Sequence, residues 1–307
     1  MSKRTLPKIS FIGSGSVGTA LASAFHDKGY SILSVINRSG KSAIALARSV
    51  KCKKASTLVS DINPKSDMIF ITVPDHALKE VVLQLSKLPK LKWNHIFVAH
   101  TSGAYSSEIL SPLEKKGALV ASLHPIQTFP RTGKLPKLRG IYFGIEGSPQ
   151  AAAQAEELVH TLQAHSLVIP AEKKPLYHIA CVFASGYLVT ILNAIDMLSK
   201  HLQMKASWTE VFGPLMTAST ENAIKTSAAN ALTGPVMRYE VSTLTLHLET
   251  LQTYAPQFLP LYTVAGIEMA RVAVENGKLS RASYQEILTL FKDFIKMQPN
   301  KKSSKED

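Results

Sequence analysis

Several short stretches of this chain carry residue types at spacings that could do chemistry. Ile9-Ser10-Phe11-Ile12-Gly13-Ser14-Gly15-Ser16-Val17-Gly18 sets G-x-G-x-x-G directly after an apolar strand pattern and at the opening of a helical one. There Gly13 permits a tight turn, Gly15 lets backbone N–H groups approach a pyrophosphate, and Gly18 lets helix and strand pack closely. The helix N-terminus favours the phosphate charge. A dinucleotide is the predicted ligand, with Ser14, Ser16 and Val17 completing the loop. About twenty residues on, where an NAD site usually carries an acid for the ribose 2′-hydroxyl, the chain reads Asn37-Arg38-Ser39. Arg38 can pair with a 2′-phosphate through its planar fork, and Asn37 and Ser39 can donate hydrogen bonds. NADP(H) is therefore the predicted cofactor. Val73-Pro74 ends another strand and should pack near it, and Asp75 reads as a helix N-cap.

Two further strand ends suit a reacting site: His100-Thr101-Ser102-Gly103 and Ser122-Leu123-His124-Pro125-Ile126-Gln127-Thr128-Phe129. Hydride transfer to a carbonyl or imine needs a nearby proton donor, a task for a His titrating near neutrality. His124 is the candidate. Further on, Thr233-Gly234-Pro235 reads as the cap and first turn of a helix that would carry Arg238 one turn inside, able to hold a substrate carboxylate. Glu240 would not share that helix face and reads as a poor partner for Arg238. His247 and His178 read as structural.

These residues need a scaffold, and the pattern supplies one. Apolar runs at Ile9–Ile12, Ser31–Ile36, Asp67–Val73, His95–Ala99, Leu119–Ser122, Gly140–Ile145 and Ser166–Ile169 alternate with helical patterns. The intervening patterns are Val17–Lys28, Lys41–Ser49, Asp75–Ser86, Ser106–Lys116 and Pro149–Ala164. This predicts an α/β domain over 1–170, a doubly wound, mostly parallel sheet. Beyond Pro170 the strand signals stop, and five helices are expected at Lys174–Leu202, Ala206–Ser227, Val236–Leu251, Gln257–Asn276 and Ser280–Met297. An all-helical domain over 171–297 and a disordered tail over 298–307 follow.

The 307 residues carry a net charge of +13 and 45% hydrophobic residues, enough for a real core without a metal or disulfide staple. Seven bases and no acid lie between Lys28 and Ser60, so much of the excess charge clusters at the adenosine end of the predicted cofactor. No nucleic-acid motif accompanies it. Cys52 and Cys181 are the only cysteines, which leaves no disulfide framework or Cys-rich zinc site; both read as small buried hydrophobes. The basic start lacks a signal-peptide core and eighteen apolar residues never run unbroken, so a cytoplasmic protein without a membrane span is expected.

The chain resembles NADP-binding Rossmann-like proteins with a helical C-terminal domain of unknown function, family 2520. The resemblance rests on Gly13 to Gly18, Asn37-Arg38, Val73-Pro74-Asp75, His100 to Gly103, Ser122 to Phe129, and Leu232-Thr233-Gly234-Pro235-Val236-Met237-Arg238. It is similar more distantly to pyrroline-5-carboxylate reductases, through the Gly-rich turn and the Asn-Arg-Ser segment. Ser102 and His124-Pro125 resemble prephenate dehydrogenases, where such a Ser and His engage the substrate hydroxyl. The resemblance implies a homodimer through the C-terminal helices, His124 as general acid/base and Ser102 as its hydrogen-bonding partner. The chain departs from it at Arg238-Tyr239-Glu240, where relatives usually read Arg-Gly-Asp, and at Ser185-Gly186, where they often read Ser-Asn. The expected activity is reduction of a small anionic carbonyl or imino acid between the two domains, with Arg238 on its anionic tail; the alternative is a non-catalytic NADP-binding sensor.

Overall fold

The computed structural model describes residues 6–130 and 134–296, so the predicted tail at 298–307 lies outside the described residues. The chain folds as two compact units, one ending at Tyr187 and one beginning at Leu188.

The first unit alternates strands and helices: β1 (Lys8–Ile12), α1 (Ser16–Asp27), β2 (Ser31–Ile36), α2 (Gly40–Ser49), β3 (Ala55–Ser56), β4 (Met68–Ile71) and α3 (Asp75–Ser86). It continues with β5 (Phe97–His100), α4 (Ser111–Glu114), β6 (Leu119–Ile126), β7 (Tyr142–Gly147), α5 (Pro149–Thr161), β8 (His165–Val168) and α6 (Lys174–Val182). The strands form one sheet in the order β3-β2-β1-β4-β5-β6-β7-β8. The first six run parallel, and β7 and β8 run against them. This is a doubly wound α/β sheet, as the alternation predicts.

Parallel strands must bury both faces, and β4 is apolar at every position while β1 is buried at all but Lys8. Phe11 stacks on Phe70 on one side, ring centroids 5.3 Å apart, while Ile12, Ile69 and Ile71 pack on the other. Each such side chain contributes about 1.5–3 kcal/mol by leaving water. The order of strands reverses between β1 and β4, the switch point at which ligands of such sheets sit, outside the carboxyl ends.

Several local expectations change. The sixth strand does not stop at Ser122: antiparallel β7 pairs with it as far as Ile126↔Tyr142, so His124 is held in a strand rather than a loop. The helix expected over Ser106–Lys116 is a 3-10 turn at Ser107–Leu110 followed by short α4, with Pro112 in its first turn. Asp75 is the first residue of α3, and Pro74 occupies the cap position; the carboxylate still faces the positive end of the helix dipole. Both cysteines are half-buried rather than buried.

The second unit is helical: α7 (Leu188–Ser199), α8 (Trp208–Lys225), α9 (Ala228–Ala231), α10 (Val241–Tyr254), α11 (Leu259–Glu275) and α12 (Arg281–Lys296). Ser207 and Glu210 form a capping box at the start of α8, and Ser280 Oγ accepts from Ser283 N at the start of α12. Leu244, Leu248, Leu259, Ala270, Ile287 and Phe291 make the core of α10 to α12. By contrast α8 buries no residue, and Val211, Leu215 and Ile224 are exposed on it.

Helical structure runs from α6 through a π-turn at Phe183–Tyr187 into α7. By length and composition, the segment Ala171–Leu202 could cross a membrane, with a mean hydropathy of 1.7 and 6% of its most apolar window buried. Polar residues such as Ser185 interrupt the run, so its apolar character lies in the average rather than in an unbroken stretch. Its first turns carry Lys174, Tyr177 and His178, which pack against the carboxyl ends of β5 and β6.

Candidate functional site

At the end of β1 the chain turns through Gly13 with φ +108°, a conformation open to glycine at little cost. A Cβ there would lie 2.5 Å from the Thr72 carbonyl oxygen, and one at Gly18 would collide with Gly13 O and Thr72 Oγ1. Thr72 Oγ1 donates to Gly13 O at 2.8 Å, fastening the turn to the strand beside it. Gly15 is the helix cap residue and provides no side-chain cap, and the first turn of α1 contains no acid. Its N–H groups and dipole are therefore available to an anion. The Ser14 hydroxyl is buried and has no hydrogen-bond partner, a penalty that an acceptor bound in the loop would remove. Every one of these features fits a pyrophosphate.

Asn37 braces this loop rather than facing outward: its Oδ1 accepts from Ser14 N at 3.3 Å and its Nδ2 donates to Ser39 O at 3.2 Å. Ser39 caps α2, accepting from Ser42 N. Arg38 is exposed and has no hydrogen bond or ion pair among the described residues, so its fork is open to a ligand. Ser16 Oγ donates to Pro130 O, Val17 and Val73 are half-buried, and Pro74 is exposed beside α3.

The carboxyl ends of β5 and β6 carry the second cluster. His100 is fully buried, with its Nδ1 accepting from Ser102 N and its Nε2 3.1 Å from Ser106 O. It organises the following loop. Ser102 Oγ accepts from Ala104 N and Tyr105 N, at 3.3 and 3.1 Å, which leaves its hydroxyl hydrogen free to donate. His124 does not bond to Ser102; its Nδ1 lies 2.7 Å from the hydroxyl of Tyr177. Nor does His124 titrate near neutrality. Burial, then the charges of Lys174 and His178, lower it from 6.5 to about 4, so at pH 7 the ring is neutral.

Three partners of this cluster come from α6, and their chemistry is not apparent from the sequence. Lys174 is fully buried; its Nζ donates to Ser122 Oγ at 2.6 Å and to Ser102 O at 3.3 Å. Burial lowers its pKa from 10.5 to about 8, with Glu146, Asp75 and Cys181 pulling the other way. Tyr177 and His178 follow three and four residues on, hence on the same helix face. The His124 and His178 rings stand edge to face, 5.7 Å apart, and His178 Nδ1 is buried without a partner. A side chain at Gly103 would collide with His178. The one signal for Lys174 is its place: a cation in the first turn of a helix is disfavoured by the dipole and calls for a reason.

Arg238 is not inside a helix. A single turn closes at Tyr239, whose φ is +54°, and α10 begins only at Val241. Released from helical spacing, Arg238 grips Glu240 with both arms of its fork, at 2.6 and 3.1 Å, which corrects the expectation that Glu240 is a poor partner. Arg238 is exposed and Glu240 only half-buried, so the pair adds little stability. His247 bonds Tyr262 through Nδ1 at 2.7 Å, as a packing residue would. Among the described residues no group of three His, Cys, Asp or Glu could hold a metal ion.

Residues 3–125 match the Rossmann-like domain, and residues 141–269 match the domain of unknown function DUF2520. The chain joins a Rossmann-like domain to a DUF2520 domain. The DUF2520 match begins at the seventh strand, so it includes all of α6 and its site residues. Among solved structures, a proposed NADP oxidoreductase from Bacteroides fragilis is 24% identical with a TM-score of 0.75, covering 86% of this chain and 98% of that one. A Thermotoga maritima protein, TM1727, is 24% identical with a TM-score of 0.59, covering 94% and 98%. A reductive aminase from Aspergillus terreus, in complex with NADPH and ethyl-5-oxohexanoate, is 17% identical with a TM-score of 0.55, covering 95% and 94%. These likenesses establish a shared fold. No curated protein matches the chain.

Proposed function

We propose that this Rossmann–DUF2520 protein is an NADP(H)-dependent oxidoreductase that reduces a small carbonyl or imino acid. The observation that carries the reading is the Gly13–Gly18 turn with its unpartnered buried Ser14 hydroxyl, together with the unpaired Arg38 after β2. Gly13, Ser14, Gly15, Ser16, Val17 and Gly18 would hold the pyrophosphate, with Asn37 bracing them and Arg38 on the 2′-phosphate. Ser39, Val73 and Pro74 would flank the nucleotide. When bound, the nicotinamide supplies a hydride.

The protein's own residues do the rest. His124, neutral at pH 7, hydrogen-bonds the reacting oxygen or nitrogen and hands it a proton that water replaces on the ring. Ser102 orients the same atom with its remaining hydroxyl hydrogen. Lys174 stays buried and works through Ser122 and through its charge, which favours negative charge developing on the substrate. Arg238 would hold an anionic tail by exchanging Glu240 for the substrate carboxylate. Solved neighbours named as reductive aminases and imine reductases, one holding a keto ester with NADPH, support a C=O or C=N substrate.

In this reading the protein is a cytoplasmic homodimer, with no membrane or nucleic-acid partner. Leu176, Ile179 and Phe183 of the first unit and Val189 and Leu215 of the second are exposed apolar residues that a second copy would cover. Sedimentation at micromolar concentration should give twice the chain mass, and a monomer would remove that assignment. The function itself is tested by titrating NADPH and NADH, then screening keto and imino acids for nucleotide oxidation. Binding without turnover on any of them would turn the reading to a nucleotide sensor.

A further inference from the structure

One contact in the reacting cluster has no part in the reaction proposed above: the Tyr177 hydroxyl against His124 Nδ1. The two rings stand edge to face at 85°, with centroids 5.7 Å apart. Space for the hydroxyl comes from Gly144, which pairs with His124 across β6 and β7. A Cβ at Gly144 would lie 2.5 Å from the Tyr177 oxygen.

We propose that Tyr177 is a positioning residue for His124: its O–H donates to Nδ1, which fixes the ring as the Nε2–H tautomer and makes Nε2 the one nitrogen that can donate to a substrate. This rests on the reading of His124 as the group that meets the substrate. A neutral imidazole has one donor and one acceptor nitrogen, and the partner of one decides the role of the other. Burial with the charges of Lys174 and His178 keeps His124 neutral, and burial with Cys181 raises the Tyr177 phenol well above its ordinary value, so it keeps its proton. The groups facing this pair are Lys174, whose Nζ lies 5.8 Å from the Tyr177 ring centroid, His178 and Cys181. Cys181 competes for the phenol proton only as a weak acceptor, so the imidazole nitrogen takes it.

The test is nitrogen NMR of the full chain labelled with 15N-histidine near neutral pH, with the His124 signals assigned by their loss in His124→Gln. In the wild type, Nε2 is expected to carry the proton and Nδ1 to fall in the unprotonated range. In Tyr177→Phe the two signals should move toward each other as both tautomers populate. A wild-type His124 protonated on Nδ1, or an unchanged tautomer in a folded Tyr177→Phe, would overturn the proposal. The wild-type spectrum decides alone if that variant fails to fold. Should the tautomer be as stated while His124→Gln keeps full turnover, the proposed function fails and this positioning stands.

Discussion

Replacing His124 by Ala is expected to lower kcat by about 10²- to 10⁴-fold, the usual contribution of a positioned acid–base group, while nucleotide affinity stays unchanged. Affinity should hold because the groups proposed to bind the nucleotide belong to the Gly13–Gly18 loop and the end of β2, whereas His124 belongs to β6 and contacts Tyr177. The pH profile of the wild type should carry the same signature. Since His124 and His100 both lie at about 4, no inflection is expected near the ordinary histidine value. The decline should come instead as pH rises through about 8, where Lys174 loses its charge. Steady-state rates across that range check both statements, and a rate limb near pH 6.5 that vanishes in His124→Ala would contradict them.

The Lys174→Met variant should be at least as stable as the wild type and much less active. Its folded-state pKa of about 8 lies below the ordinary 10.5, so below pH 8 the buried charge opposes folding in full. That opposition fades as pH rises from about 8 to 10.5, because there the unfolded chain binds the proton more tightly than the folded one. The shift corresponds to about 3 kcal/mol. Losing two hydrogen bonds to Ser122 and Ser102 returns about 1 kcal/mol each. Lys174→Met is thus expected to gain about 1 kcal/mol at pH 7 and to lose the rise in stability between pH 8 and 10.5. Denaturant unfolding at pH 7 and above pH 9 measures both, and a loss of several kcal/mol at pH 7 would mean that the ammonium stabilises the fold. A buried charge that opposes folding while bonding Ser102 and Ser122, beside the proposed catalytic groups, is the pattern of function set against stability.

The shape of the Gly13–Gly18 turn was legible because its determinants are local: strand, glycines, helix and the residues after the next strand all lie within forty positions, and each imposes its own residue type. His124 was legible as a strand-end His, but its environment was not. The neutral ring depends on burial and on Lys174 and His178, some fifty residues away in sequence, and its partner Tyr177 finds room only at Gly144, which faces His124 only once β7 runs antiparallel to β6. Lys174, Tyr177 and His178 fall in a helical stretch past the last strand, where a basic or aromatic residue ordinarily means a solvated or packing face. The helix expected around Arg238 failed for a backbone reason, since Tyr239 takes a left-handed conformation that ends the turn, and no neighbouring residue type demands it.

The most direct measurement of the central claim is a nicotinamide-fluorescence titration of the purified protein with NADPH and with NADH, repeated on Arg38→Ala. NADPH should bind far more tightly than NADH, and Arg38→Ala should abolish the difference by weakening NADPH alone, since Arg38 has no other partner among the described residues. If neither nucleotide binds, or if the preference survives in Arg38→Ala, the proposed cofactor site is wrong.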